Sequence, residues 1–238
     1  MNFNEVYEIA VPKGKREEEK YNKWVSFVVR PLSVLLTLPL LKKDIKPITV
    51  TKISIVFSLI GFIFLSTSNS MVFKILGWFS FFLWSILDGV DGNLARCSNQ
   101  CSHLGDLWDT TGGYLAMIFI YFSAGIVSFF DLNSVTLFSN YFYLIFGGLT
   151  AIMSIFPRLI LHKKKSSSNN NLIVNELTDT SNYNTVKSFV GNITSPSGIM
   201  QVFYLFSIIT HNVNIFLIIY CIINFGIMCI TLRGLLKE

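Results

Sequence analysis

The sequence predicts an all-α integral membrane protein with six transmembrane helices and an additional N-terminal interfacial amphipathic helix. Of the 238 residues, 52% are hydrophobic and only 14% are charged, and the mean hydropathy is +0.55. A soluble domain of this size needs more charge to cover its surface. The apolar residues also form long uninterrupted runs, each close to the ~20 residues that cross ~30 Å of hydrocarbon. Both observations favour a membrane protein.

The long apolar runs define the predicted spans, and the fifth is the shortest. That fifth run is either a partly inserted helix or one that starts earlier in the chain. Between the fourth and fifth runs, residues 162–197 are rich in Ser, Asn and Thr, which predicts a flexible cytoplasmic connector inside a membrane domain of residues 48–238. The six spans are Ile48–Ser66, Met71–Ala95, Leu104–Phe130, Leu137–Leu161, Gly198–Thr210 and Val213–Leu232.

The distribution of Lys and Arg predicts the orientation of the spans. With the N-terminus inside, every Lys and Arg except Lys74 lies in or next to a cytoplasmic segment. Lys74 falls near an outer end, where its long side chain can reach the headgroups. We therefore expect a multi-pass protein whose polar site faces the cytoplasm.

The apolar stretch Trp24–Leu41 is predicted to lie on the inner leaflet and not to span it. It contains Arg30-Pro31 and Pro39, which interrupt a helix buried in lipid, and it follows the basic run Lys13–Lys23. The alternative is a true span with the opposite topology. Residues 1–47 are thus expected to form a cytoplasmic arm and an interfacial helix, and their polar start predicts no signal peptide.

Four aspartates lie where the second and third spans meet the cytoplasmic surface. Asp88 and Asp91 end the second span, and Asp106 and Asp109 begin the third. Carboxylates close to the hydrocarbon are expensive and usually functional. Because the connecting loop is short, we expect the two helix ends to be neighbours.

The spacing of these residues predicts a cation site. Asp88 and Asp91 are three residues apart and share a helix face, and Asp109 lies on the facing helix. Three nearby glycines are expected to let the helices approach: Gly89, Gly92 and Gly105. Hard carboxylate oxygens suit Mg²⁺ or Mn²⁺, which in turn bind phosphates. The alternative is that the aspartates are helix caps and solvated interfacial residues.

At these residues the chain resembles a known family. The run DGVDGNLAR covers Asp88–Arg96, and after eight residues come Gly105 and then Asp109. This resembles the signature DxxDGxxARx8GxxxDxxxD of the CDP-alcohol phosphatidyltransferase family, over about 22 residues. The segment Pro47–Thr51 at the start of the first span and the six-helix plan are also similar to that family.

The resemblance implies a transferase of phospholipid biosynthesis. Such enzymes move a substituted phosphoryl group from a CDP-linked donor, commonly CDP-diacylglycerol, to an alcohol acceptor and release CMP. It implies that Asp88, Asp91 and Asp109 ligate the metal, here Mg²⁺ or Mn²⁺. The same resemblance assigns the remaining signature residues to the nucleotide: Gly92 and Ala95 leave it space, Arg96 holds it, and Gly105 lets the helices close around it.

The chain departs from the signature at its last aspartate, where it has Gly113. In the family that residue is the proposed general base, and a positioned base typically contributes 10²–10⁴-fold. Another group can replace it, with Asp106 the first candidate and His103 the second, or the acceptor needs little activation. The other possibility is a non-catalytic relative that binds the CDP-linked lipid. Asp106 also fits a solvated carboxylate at a helix start.

Two further features carry weaker signals. Arg158 ends the fourth span and is suited either to a phosphate on the acceptor or to simple cytoplasmic anchoring. Cys97, Cys101 and His103 form a C-x3-C-x-H pattern that lacks the fourth ligand of a zinc site, and we interpret them as ordinary loop residues. The expected partners are the donor, the acceptor and membrane lipid, with no nucleic acid. A homodimer is compatible with the family but is not decided by the sequence.

Overall fold

In the computed structural model of the protein, the described residues are 2–12, 16, 22–131, 137–167 and 193–236, and the regular elements within them are all helical. This confirms the all-α class. The helices are α1 Phe3–Ala10, α2 Val25–Lys42, which opens with a π-helical turn at Val25–Val29, α3 Pro47–Thr67, α4 Met71–Cys97, α5 His103–Phe130, α6 Asn140–Ser167, α7 Met200–Ile209 and α8 Val213–Leu236.

Within the described ranges, six helices are long and apolar enough to cross a membrane, but they are not the six expected. The set includes α2 and leaves out α7, which has ten residues and a length of about 15 Å. The fifth predicted span, Gly198–Thr210, had two interpretations, a short helix or one that starts earlier. The structure has the short helix, Met200–Ile209. Pro196 explains why, because it lacks an amide donor and disfavours helix at Ser195.

Helix α2 packs against one half of α4 only. Trp24, just before α2, meets the ring of Phe82 at a centroid distance of 5.9 Å, and Ser33 lies against Gly89. The other half of α4 contacts α7, where the Trp78 indole donates to the carbonyl of Gln201 at 2.8 Å. Because α2 covers only the aspartate-bearing half of α4, it fits the predicted interfacial position. The 18 residues of α2 are also enough for a span.

Helix α3 lies between α4 and α5 and packs along both, whereas α4 and α5 touch each other little. A Cβ on Gly61 of α3 would lie 2.9 Å from the carbonyl oxygen of Gly77 on α4, and one on Gly112 of α5 would lie 3.0 Å from Ile55 of α3. The expectation that α4 and α5 close directly on each other through Gly89, Gly92 and Gly105 is therefore wrong. The close approaches are made through α3.

A buried ion pair joins the elements at the end of the bundle opposite the aspartates. The Lys74 ammonium donates to Asp131 Oδ2 at 3.1 Å, and both side chains are almost fully buried. His211, in the turn between α7 and α8, lies 3.1 Å from the same oxygen through Nδ1. Lys74 was expected to extend to the headgroups, and the structure instead pairs it inside the protein.

Helix α6 runs to Ser167, so the predicted connector 162–197 begins inside a helix. Its residues 168–192 lie outside the described part of the chain, as does most of the basic run Lys13–Lys23. The topology that carries the site is thus set by α3, α4 and α5, with α1 and α2 packed on the last turns of α4.

The contact between α5 and α6 predicts a position-specific stability effect. A Cβ on Gly147 would lie 2.9 Å from the carbonyl oxygen of Tyr121 and 3.0 Å from Gly125, whereas a Cβ on Gly148 would meet nothing within 4 Å. We expect Gly147→Ala to lower the free energy of unfolding by about 1–3 kcal/mol through overpacking. The matched change Gly148→Ala should be neutral or stabilising, because Ala is the better helix former. Thermal unfolding in detergent measures both, and equal effects would contradict the packing.

Candidate active site

A cavity of about 330 Å³ opens where α3 begins, α4 ends and α5 begins. Three of the four predicted aspartates line it: Asp91 from α4, and Asp106 and Asp109 from α5. The other residues that line it are Lys46, Pro47, Ile48, Thr51, Gly92, Ala95, Gln100, Cys101, Ser102 and Gly105. The short α4–α5 loop therefore brings three of the four aspartates to one cavity, but across the start of α3.

Asp91 is the buried carboxylate of the cavity. The residue is only 4% exposed. Its Oδ2 accepts a hydrogen bond from the Thr51 hydroxyl at 2.6 Å. Thr51 also contacts the carbonyl oxygen of Pro47 at 3.3 Å, which fixes the hydroxyl within the first turn of α3. A buried carboxylate needs such a donor, because desolvation without one is costly. Thr51 thereby sets the orientation of Asp91.

Asp106 and Asp109 are positioned by the capped start of α5. The Ser102 side chain accepts from the Gly105 amide at 3.1 Å and serves as the N-cap. Asp106 lies in the first helical turn, where the helix dipole favours a negative charge. Since residues three apart share a helix face, Asp106 and Asp109 both face the cavity. Both are exposed, in contrast to Asp91.

Two residues of the signature do not line the cavity: Asp88 and Arg96. Asp88 is half-buried one turn before Asp91 on α4. The Arg96 side chain folds back along α4, where its Nη2 would lie 3.3 Å from a Cβ on Gly92. A side chain at position 92 would therefore crowd the guanidinium and shift it by a few tenths of an ångström. A Cβ on Gly105 would meet only the capping Ser102 oxygen at 3.1 Å.

The donor set fits a hard divalent cation by its chemistry. All three carboxylates of the cavity offer oxygen ligands, which Mg²⁺ and Mn²⁺ prefer. Among the described residues there is no group of three His, Cys, Asp or Glu side chains close enough to form a complete protein-only metal site. Mg²⁺ is usually held by one or two carboxylates together with water and substrate phosphates. An open carboxylate cavity is compatible with that mode of binding.

The position of the missing aspartate is sterically open. A Cβ on Gly113 would meet nothing within 4 Å. Packing therefore does not require glycine at this position. Of the two candidate substitutes for the base, Asp106 lines the cavity and His103 does not. Cys101 also lines the cavity with an exposed side chain, whereas Cys97 packs beneath α1.

Arg158 of α6 lies away from the carboxylates, in a separate polar cluster. Its guanidinium contacts the sulfur of Met117 and the carbonyl oxygen of Thr194 at 3.4 Å. The Tyr114 side chain is close enough to interact with it electrostatically, and the Tyr114 hydroxyl is buried without a hydrogen-bond partner among the described residues. The Tyr114 ring lies 5.9 Å from that of His162. The cluster pairs a guanidinium with an unsatisfied hydroxyl.

Sequence reasoning missed several residues of the cavity: Lys46, Thr51, Gln100 and Ser102. The signal for Thr51 was present, because it lies one turn after Pro47 and at the same depth as the carboxylates. The signal for Ser102 was also present, as a serine three residues before Gly105 is a typical N-cap. Lys46 and Gln100 lie in connections, whose geometry periodicity does not predict.

Comparison with known proteins gives one informative result. Residues 45–232 match the family model described as CDP-alcohol phosphatidyltransferase. No curated protein matches the chain significantly. The matched range begins one residue before Lys46 and contains every residue of the cavity; it leaves α1 and α2 outside.

The hydrogen bond to Asp91 predicts a distinct role for Thr51. Thr51→Val removes the donor but keeps the shape, so the buried carboxylate loses its partner; we expect a loss of about 1–3 kcal/mol in the free energy of unfolding. Thr51→Ser should retain most of the stability, because it keeps the hydroxyl. The exposed neighbour provides the control Thr49→Val, which should have little effect. Denaturation in detergent tests this, and equal stability of both valine variants would contradict it.

Proposed function

Because the chain belongs to the CDP-alcohol phosphatidyltransferase family, we propose that it transfers a phosphatidyl group from a CDP-linked lipid such as CDP-diacylglycerol to an alcohol, with release of CMP. The family transfers a substituted phosphoryl group from a CDP-alcohol to an acceptor. One observation carries the proposal: Asp91, Gly92, Ala95, Gly105 and Asp109 of the signature all line a single cavity at one end of the bundle.

Asp91 and Asp109, which line the cavity, are the residues that would hold Mg²⁺ or Mn²⁺ together with the donor phosphates. The family resemblance adds Asp88, which lies one turn before Asp91 and outside the cavity lining. When bound, the cation supplies charge neutralisation at the phosphates and at the leaving oxygen. Thr51 keeps one oxygen of Asp91 occupied and so fixes its orientation. Gly92 and Ala95 keep the wall of the cavity thin beside the nucleotide. Lys46, on the opposite rim, adds a positive charge suited to a phosphate.

The reaction proposed is in-line attack by the acceptor hydroxyl on the phosphorus that carries diacylglycerol. A new P–O bond to the acceptor forms as the P–O bond to CMP breaks, and CMP leaves with the bonding electron pair. The hydroxyl proton passes to Asp106, which faces the cavity one turn before Asp109. Asp106 thus takes over the function of the aspartate absent at Gly113.

The Arg158 cluster supports an anionic acceptor. Among the described residues, the Arg158 guanidinium contacts one thioether sulfur and one carbonyl oxygen, which leaves most of its N–H donors for a ligand. The buried Tyr114 hydroxyl offers one more. Guanidinium groups bind phosphate and carboxylate with paired hydrogen bonds. We therefore favour an acceptor that carries a phosphate or a carboxylate in addition to its hydroxyl.

The cavity is proposed to face the cytoplasm. It lies at the end of the bundle where α3 begins and α4 ends, near the basic residues Lys46 and Arg96. The opposite end has the Lys74–Asp131 pair, whose charges neutralise each other. The excess of cations at the cavity end agrees with the positive-inside bias.

A non-catalytic CDP-lipid-binding relative is the second candidate, motivated by Gly113. The two functions differ in one measurable product. A binder retains CDP-diacylglycerol in the presence of Mg²⁺ but releases no CMP with any alcohol. Gly113→Asp is a useful companion variant, because a Cβ at this position meets nothing within 4 Å.

The direct experiment measures CMP release by the purified full chain with CDP-diacylglycerol, Mg²⁺ or Mn²⁺ and a panel of alcohols. We expect release that depends on the acceptor and favours phosphorylated or carboxylated alcohols over neutral ones. Asp91→Asn should abolish it, and Asp106→Asn should reduce it by about 10²–10⁴-fold, as the loss of a general base does. Arg158→Gln should raise the KM for the anionic acceptor and leave the KM for the donor unchanged.

Two outcomes would contradict the proposal. A folded protein that binds the donor and releases no CMP, while Gly113→Asp gains release, would identify the binding-only relative. Wild-type activity in Asp106→Asn would remove Asp106 as the base and leave either His103 or an acceptor that needs little activation. Folding of each variant is checked by its elution profile and its thermal transition in detergent.

A further inference from the structure

Arg96 is held by a segment outside the family match. Its Nε donates to the carbonyl oxygen of Ala10 at 2.8 Å, and its Nη2 donates to Asn93 Oδ1 at 3.1 Å. Ala10 is the last residue of α1, whereas the matched range begins at residue 45. The arginine of the signature therefore depends for its conformation on the N-terminal helix.

The Ala10 carbonyl is well suited to this contact. The last carbonyl groups of a helix lack intrahelical partners and carry the negative end of the helix dipole. Ala10 is fully buried, so water does not compete for its oxygen. A charged donor on such an acceptor forms a short and comparatively strong hydrogen bond.

Helix α1 is firmly docked in spite of its eight residues. Val6, Ala10 and Val11 are fully buried against Val34 of α2, and Cys97 at the end of α4 packs on the same cluster. A capping box starts the helix: the Asn2 side chain accepts from the Glu5 amide at 2.9 Å, and Glu5 accepts from the Asn2 amide at 3.1 Å. Both ends of α1 are thus satisfied by specific contacts.

Asn93 supplies the second anchor of Arg96. It is fully buried, and its Nδ2 donates to the hydroxyls of Ser33 and Thr37 on α2 at 3.2 and 3.3 Å. Those bonds turn Oδ1 toward the arginines, and Arg30 Nη1 donates to the same oxygen at 3.3 Å. Two guanidinium groups therefore meet at one neutral amide oxygen.

The remaining nitrogen of Arg96, Nη1, lies beside Gly92, as Nη2 does. Among the described residues Nη1 has no hydrogen-bond partner, and it would lie 3.4 Å from a Cβ on Gly92, which itself lines the cavity. With Nε and Nη2 engaged, Nη1 is the donor left for an anionic ligand. The fork geometry of the guanidinium fixes its direction once the other two nitrogens are bound.

We propose that α1 is a positioning element for the donor site: its terminal carbonyl at Ala10, together with Asn93, orients Arg96 so that Nη1 faces an anionic group of the CDP-linked donor. This inference rests on the proposed function and assigns part of the donor affinity to residues 3–10. Release of α1 frees the arginine side chain and lowers the affinity for the donor, and the chemical step is unaffected once the donor is bound.

The test compares two aspartate substitutions on α1 in the full-length protein. Val6→Asp places a charge in the buried interface and undocks the helix, whereas Ile9→Asp places it on the exposed face of the same helix. We expect Val6→Asp to raise the KM or Kd for CDP-diacylglycerol with Mg²⁺ about tenfold or more, as the loss of a charge-assisted hydrogen bond does. The kcat at saturating donor should change little, and Ile9→Asp should resemble the wild type.

Two further measurements separate positioning from a general loss of structure. Alkylation of Cys97, in a background with Cys101, Cys221 and Cys229 changed to Ser, should accelerate in Val6→Asp, because α1 covers that thiol. Arg96→Lys lacks Nε and should raise the donor KM by itself. In the Val6→Asp background it should add little, since both changes remove the same contact between Arg96 and Ala10. If Val6→Asp does not fold, Asn2→Ala weakens the cap of α1 and should give a smaller shift in the same direction.

Equal donor affinity in Val6→Asp and Ile9→Asp, with Cys97 exposed in the first, would overturn the role of α1 and leave the proposed function intact. A fall in kcat at constant KM in Val6→Asp would also overturn it. So would a double variant, Val6→Asp with Arg96→Lys, whose increase in donor KM equals the product of the two single increases. No binding of CDP-diacylglycerol by the wild-type chain would overturn the proposed function itself, and this inference with it.

Discussion

The structure depends on the placement of carboxylates at the edge of an apolar layer, where a charge without partners is costly. Asp91 shows how the constraint is met. It is nearly fully buried and takes its hydrogen bond from Thr51 on a different helix, so α3 must lie within reach of α4. The glycine contact between Gly61 and Gly77 makes that approach possible. The same helix packs on α5, which brings Asp106 and Asp109 to the cavity.

The two ends of the bundle treat charge in opposite ways. At one end Lys74 and Asp131 neutralise each other inside the protein, with His211 on the same oxygen. At the other end three carboxylates share a cavity whose basic neighbours lie at its rim or behind its wall. A neutralised pair joins helices, whereas several carboxylates around one cavity are suited to a cation and to phosphates. This contrast supports the proposed site at the start of α3 and the end of α4.

Much of this arrangement was predictable from local pattern. Apolar runs predicted the long helices, and the spacing from Asp88 to Asp109 predicted the family, as the match of residues 45–232 bears out. The same spacing predicted a cavity lined by Asp91, Asp106 and Asp109. Contacts between distant segments were not predictable. Nothing in the sequence around Arg96 indicates a bond to Ala10, 86 residues earlier, and α3 separates α4 from α5 because of glycines whose partners lie on other helices. Helix α7 is short because Pro196 interrupts the helix before it. The spacing of apolar residues alone does not predict this interruption.

The most direct test of the account is protection of Cys101 by the donor. This thiol is exposed and lines the cavity, so a single-cysteine protein with Cys97, Cys221 and Cys229 changed to Ser reports on that space alone. The account predicts that CDP-diacylglycerol with Mg²⁺ slows maleimide labelling of Cys101, and that Asp91→Asn removes the protection. Unchanged labelling at a donor concentration that saturates the protein would contradict it and place the donor elsewhere.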